Sequence, residues 1–137
     1  MSNEFTDIFA ISGSALKAQN QRMKIIAENV ANANTTPSAP GQKPYQRQVI
    51  TFKKEFDKAL GAYKVKVDGV RTDNSEFVKK FDPAHPAADA QGYIMQPNVN
   101  PLIETMDMSA ASRSYQANLD VIAASRTMVL KTIGMLQ

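Results

Sequence analysis

Few side chains in this 137-residue sequence are of the kinds that make or break bonds, and they do not gather. His85 is the only histidine, in PAHPAAD, with Asp82 and Asp89 as its nearest acids in sequence. A metal centre or acid–base dyad would need a second imidazole, a thiolate or converging carboxylates, and the chain has no cysteine. A loop histidine is the reading this pattern favours. Glu104 and Asp107 share a helix face, but they fall in first turns, where acids stabilise the positive end of the helix dipole. Ser12, Ser14, Ser109, Ser112 and Ser114 have no neighbouring base and read as small packing residues. Arg113, Tyr115 and Arg126 suit hydrogen bonds between helices better than a site. These residues point to no enzyme, no metal and no cofactor.

Charge is uneven along the chain. Residues 43–80 hold ten Lys or Arg against five acids, within an overall net charge of +3. A basic module for nucleic acid or an anionic membrane surface is one reading. Lysine-guarded strand edges are the other, and the stronger, because no Gly-rich phosphate loop or base-stacking aromatic motif accompanies the lysines. No nucleic-acid partner is therefore expected. No apolar run approaches the roughly 20 residues that span a bilayer. The N-terminus, MSNEFTDIF, carries Glu4 and Asp7 where a secretory signal would carry bases, so a cleaved signal peptide is not expected.

The elements that must carry these residues fall into three segments: an N-terminal helix in 1–34, a loop and small β-rich module in 35–99, and a C-terminal helix in 100–137. In the first, Phe9, Leu16, Met23 and Val30 recur every seven residues, and Ser12, Gln19, Ile26 and Ala33 fill the alternate seam positions. A second set, Ile8, Ile11, Ala15, Ala18 and Ile25, widens the apolar stripe. Asn29, Asn32 and Asn34 lie where this helix stops, next to Thr35-Thr36 and Pro37. They read as helix breakers, with one asparagine able to take the left-handed terminal conformation. The loop NTTPSAPGQKPY follows.

The period then shortens. Tyr63, Val65 and Val67 alternate with Lys64 and Lys66 as a half-buried strand, and Asp68-Gly69 reads as the turn after it. Residues 48–52, 76–78 and 92–95 read as further strands. The helical period returns after Asn100, a good N-cap, with Pro101 in the first helical position. Its seam is Met108, Ser112, Tyr115, Leu119, Ile122, Arg126, Val129, Ile133 and Leu136, flanked by Val121, Met128 and Met135. The expected fold is α+β, with long N- and C-terminal helices forming an antiparallel coiled-coil pair around a small central antiparallel β module. Both helices carry apolar rows on more than one side, which favours neighbouring copies or partner proteins over a private core.

Two stretches then resemble a known family. SGSALKAQNQRMKIIAENVANANTTP is similar to the N-terminal signature of bacterial flagellar rod, hook and related axial proteins, with its Arg-Met pair and closing Ala-Asn-x-Asn-Thr. QPNVNPLIETMDMSAASRSYQANLDVIAASRTMVLKTIGML resembles the matching C-terminal signature, with PNVN followed by Arg113-x-Tyr115-x-x-Asn118. The short centre, FDPAHPAADAQGYIMQPNVN, resembles the proximal-rod branch. One departure is TTPSAPGQKPYQR, where axial relatives often run from Asn-Thr straight into Pro-Gly-Tyr.

The resemblance implies a structural subunit of the proximal rod, a helical assembly around the export channel that transmits torque. It implies export through the flagellar type III apparatus without a cleaved signal, and a place in the basal body where the rod crosses the periplasm. The implied partners are FlgB, FlgF, FlgG and further copies of the chain. Phe9, Leu16, Met23, Ile26, Val30, Met108, Tyr115, Leu119, Ile122, Val129, Ile133 and Leu136 would pack between subunits. Asn29, Asn32, Asn34, Asn100, Arg113, Asn118 and Arg126 would make caps or polar contacts between helices.

Overall fold

The computed structural model describes residues 2–135, so Leu136 lies outside the described residues. The chain runs α1 (Ser2–Asn32), β1 (Gln48–Asp57), β2 (Ala62–Thr72), β3 (Val78–Phe81), β4 (Tyr93–Gln96) and α2 (Pro101–Gly134). The fold is α+β, two long terminal helices with two small two-stranded sheets between them, β1-β2 and β3-β4. Leu16 of α1 and Tyr115 of α2 line one shallow depression, and Asn29 of α1 bonds Glu104 of α2.

The residues divide into two compact units. One comprises residues 1–23, 51–69 and 109–137: the outer lengths of both helices and most of the β1-β2 hairpin. Its buried side chains are small, namely Ser12, Ala18, Ala111 and Ser125. The other comprises 24–50 and 70–108, and it contains all the largest fully buried side chains, Ile94, Glu104, Asn29 and Pro97. Apolar burial scales with the area removed from water, so the first unit is the less securely held when alone.

The helix ends follow local chemistry. Asn100 caps α2, its Oδ1 accepting from the amides of Leu102 (3.0 Å) and Ile103 (3.4 Å), with Pro101 next as expected. At the end of α1 the expected left-handed asparagine is not found, since no described non-glycine residue has a positive φ. Asn32 instead turns its Nδ2 back to the Glu28 carbonyl (2.8 Å), and Thr35 closes on the Asn32 carbonyl through both amide and hydroxyl. These short bonds satisfy terminal carbonyls without a left-handed residue.

The hairpin corrects the expected turn at Asp68-Gly69. The chain reverses at residues 58–61, where Asp57 Oδ1 accepts from the amides of Ala59 and Leu60 and Gly61 takes φ 65°. An Asx turn plus a left-handed glycine outcompetes a bare Asp-Gly pair. Residues 68 and 69 therefore continue β2: Asp68 pairs with Lys53 (3.1 Å), and the Gly69 carbonyl accepts from Thr51 Oγ1. Lys64–Asp57 (2.6 Å) and Lys66–Glu55 (2.8 Å) cross the same hairpin, and Phe56 meets Tyr63 edge-on. Three lysines of the basic segment are thus neutralised across the strands. The outer edge of β2 is held by α1, where Ser14 Oγ accepts the Val65 amide (3.2 Å).

In the second sheet Val78 opposes Gln96 and Phe81 opposes Tyr93, antiparallel. β3 therefore begins at Val78, with Glu76 and Phe77 outside it.

Candidate functional site

Asn29, one of the residues read as a helix breaker, sits inside α1 and is 1% exposed. A primary amide offers two donor hydrogens and two acceptor lone pairs, and all four are used. Nδ2 donates to the Gln48 carbonyl (2.8 Å) and to Glu104 Oε2 (3.0 Å). Oδ1 accepts from the Tyr45 hydroxyl (2.9 Å) and the Gln48 amide (2.9 Å). The paired bonds to Gln48 imitate a neighbouring strand, so a helix side chain starts the ladder of β1. Asn29 is thereby a joint between α1, β1 and α2.

Glu104, expected as a first-turn acid at the positive end of the helix dipole, is fully buried. Its burial as a charge requires compensation, which Arg47 supplies through Nε to Oε1 at 2.6 Å. The same guanidinium reaches Asp73 Oδ2 (3.4 Å) and Asp107 Oδ2 (3.8 Å). Burial works against the charge on Arg47, but hydrogen bonding and attraction from Glu104, then from Asp73, outweigh it and hold its pKa above the usual arginine value. The Tyr45 hydroxyl is also pushed up, first by burial and then by the charges of Glu28 and Glu104. Asp73 is pulled below the usual carboxylate value, chiefly by the Ser75 amide and hydroxyl and then by Arg47.

Asn98 of the PNVN stretch extends the cluster. Its Oδ1 accepts the Arg47 amide (2.8 Å), and its Nδ2 donates to the Asp73 carbonyl and to Ser75. No substrate could reach a carboxylate buried this way and already paired with the Arg47 guanidinium. The cluster fastens elements together; it is not a catalytic centre. Arg47, Tyr45 and Asn98 were missed in the sequence. A signal existed for Arg47, the only arginine among the lysines of residues 43–66, because planar bidentate pairing is arginine's speciality.

The remaining expected site residues are spread along the helix faces. On α2 the buried or half-buried line is Glu104, Met108, Ala111, Tyr115, Asn118, Ile122, Ser125, Val129 and Thr132, stepping four and three. It shares Met108, Tyr115, Ile122 and Val129 with the seam read from the sequence. Leu119 (37% exposed) and Ile133 (52%) lie beside it, and Arg126 is exposed. Val121, Met128, Leu130 and Met135 face solvent as well, as do Leu102, Ile103 and Met106 nearer the helix start. On α1, Ile26 is buried, Leu16 and Met23 are half-buried, and Phe9 and Val30 are exposed. Arg113 and Asn118 bond carbonyls of their own helix, those of Ser109 and Ser114, and Asn34 is exposed.

Comparison with known proteins gives the same picture at both ends of the chain. Residues 9–37 match the family described as flagella basal body rod protein, and residues 90–135 match the C-terminal region of flagellar basal body rod FlgEFG proteins. The flagellar basal-body rod protein FlgC of Agrobacterium fabrum is 46% identical, over 93% of this chain and 91% of its own length. The FlgC proteins of Escherichia coli O6:H1 and Salmonella typhimurium are 39% and 38% identical, each over 93% of this chain and 94% of their own. With Asn29, Glu104 and the exposed apolar helix rows lying inside the matched stretches, the chain belongs to the FlgC family of flagellar basal-body rod proteins.

Proposed function

We propose that this chain is a structural, non-enzymatic subunit of the flagellar rod that assembles laterally through the outer faces of its two helices. Family membership supports the rod role, and one observation carries the assembly mode. α2 intersperses small and polar residues (Ala111, Asn118, Ser125, Thr132) with Met108, Tyr115, Ile122 and Val129 on its covered line, yet leaves Val121, Met128, Leu130, Ile133 and Met135 in water. A helix evolved for a private core would turn the larger apolar side chains inward. Contacts that repeat without closing on themselves build a filament rather than a ring.

In this reading residues 1–34 and 100–137 are the axial helices and 35–99 form the outward module. Phe9, Leu16, Met23, Val30, Leu119 and Ile133 belong to contacts between subunits, and Arg126 and Asn34 to their polar margins. The neighbours are FlgB, FlgF, FlgG and further copies of the chain, and the type III apparatus delivers it to the rod across the periplasm. The cross-hairpin pairs of Lys53, Lys64 and Lys66 weigh against a nucleic-acid or membrane-surface role.

Purified basal bodies provide the test. The chain should co-purify with rods at a fixed ratio to the other rod subunits and be cross-linked to them through α2. Its absence from rods of motile cells would refute the assignment.

A further inference from the structure

The lysines of the basic segment are not all paired. Lys53, Lys64 and Lys66 meet acids across the β1-β2 hairpin, whereas Lys79 and Lys80 of β3 have no ion-pair or hydrogen-bond partner among the described residues. β3 is exposed along its whole length, and β4 is its only strand neighbour among the described residues. The direction of its free backbone groups follows from the bonds around the sheet. Tyr93 turns away from β3, its carbonyl accepting the Asp89 amide (2.9 Å) and its amide donating to Asp89 Oδ1 (2.9 Å). The Asp82 amide donates to the Gly92 carbonyl (2.9 Å), one pair beyond Phe81 and Tyr93. Antiparallel pairs alternate between exchanging their hydrogen bonds and turning them outward. Lys79 and Phe81, opposite Met95 and Tyr93, therefore direct amide and carbonyl to the open edge of β3. No bond reaches those amides and carbonyls among the described residues. They form two rungs about 7 Å apart along the strand. Asp89 closes the opposite edge of the sheet at Tyr93, so β3 offers the longer open edge.

We propose that the open edge of β3 docks an extended acidic segment of another protein, which adds to the sheet as a third strand. Such an edge binds through the backbone, and the flanking side chains choose the partner. Lys79 and Lys80 point to opposite faces of the strand, so an incoming strand with acids on both faces matches them. The same lysines deter neutral and basic strands. A second copy fits poorly. Paired antiparallel so that both rungs of both copies are used, Lys80 would face Lys80, and like charges directly opposite destabilise a sheet. The edge lies outside both helices, so its failure and that of the rod role are separable.

The test uses the full-length chain, amide exchange followed by nuclear magnetic resonance, and the end-blocked peptide Thr-Val-Glu-Glu-Val-Thr at millimolar concentration. Antiparallel pairing sets its valines opposite Phe81 and Val78 and its acids opposite Lys80 and Lys79. The peptide should slow exchange at the Lys79 and Phe81 amides by about tenfold, as expected for gaining one hydrogen bond each. N-methylation of its first valine and second glutamate removes the two donors that meet β3 while keeping every charge, and should abolish the protection. Thr-Val-Lys-Lys-Val-Thr should not protect the wild type. It should protect the chain carrying Lys79→Glu and Lys80→Glu, which in turn should lose the acidic peptide. Unchanged exchange at Lys79 and Phe81 with the acidic peptide would overturn the proposal. Equal protection by the methylated or the basic peptide would overturn it too, as would protection that grows with the concentration of the chain alone.

Discussion

The side-chain amide of Asn29 donates to the Glu104 carboxylate at 3.0 Å across 75 positions of sequence. This bond joins the last turns of one terminal helix to the first turn of the other, where both are fully buried. Asn29→Asp replaces a donor with a second carboxylate aimed at Glu104 and at the Gln48 carbonyl. The expected loss is about 3 to 5 kcal/mol at neutral pH, the range for an uncompensated buried charge. Adding Glu104→Gln should restore part of it, with a coupling of about 1 to 3 kcal/mol in a double-mutant cycle from denaturant unfolding.

Arg47→Met tests the other side of Glu104. It strands a carboxylate that is 0% exposed, and the loss should again be about 3 to 5 kcal/mol. Tyr45→Phe removes only one of four bonds to Asn29 and should lose about 1 kcal/mol. Equal effects from the two variants, measured by chemical denaturation, would mean that Arg47 is not the counter-charge described.

Stability should form a plateau in pH with two defined edges. Asp73 titrates below an ordinary carboxylate, held by Ser75 and then Arg47, and so does Asp57, held by Lys64 and then the Ala59 and Leu60 amides. A carboxyl with a lowered folded pKa contributes stability above its unfolded value, about 3.9, and loses that contribution as pH falls further. Tyr45 is shifted upward by burial first, so its contribution is present below about pH 10 and is lost as pH rises beyond it. Denaturant midpoints between pH 2 and 11 would trace both edges. Tyr45→Phe should flatten the alkaline one.

Two glycines should respond in opposite directions. Gly92 has φ 85°, and a Cβ there would lie 2.9 Å from Phe81 Cε2 and 3.2 Å from Pro83 Cβ. Gly92→Ala should cost about 1 to 3 kcal/mol. Gly13 lies inside α1 with nothing within 4 Å of its added Cβ. Gly13→Ala should stabilise the free chain by about 1 kcal/mol. Thermal melts of the two variants would decide both.

Local chemistry was readable where a single element determined it. The Asn100 cap, the return of helical period after it and the alternating Tyr63-Lys-Val-Lys-Val strand are set by near neighbours. The turn at 58–61 was misplaced because Asp57 and Gly61 cooperate across a gap, whereas Asp68-Gly69 is an adjacent pair. The cluster at Glu104 was invisible because its partners lie 57 and 75 positions away, and nothing local distinguishes a buried first-turn acid from a solvated one. Asn29 competes with helical hydrogen bonds near the end of α1, but its side chain is occupied by β1 and α2, a polar contact between helices of the kind its position suggests. On α2 the heptad was legible, yet two overlapping four-three rows fit it, and only tertiary packing selects the row that contains Ala111, Asn118 and Ser125.

In the proposed rod role, the outer row of α2 serves assembly rather than folding. Met128 is 51% exposed and Leu119 is 37% exposed, so Met128→Asp and Leu119→Asp should change the stability of the free chain by less than about 1 kcal/mol. The decisive measurement is the amount of each variant in basal bodies purified from cells that have no other copy of the chain. Each variant should be exported but missing from rods, in cells that do not swim. Normal incorporation and motility in both variants would contradict that role.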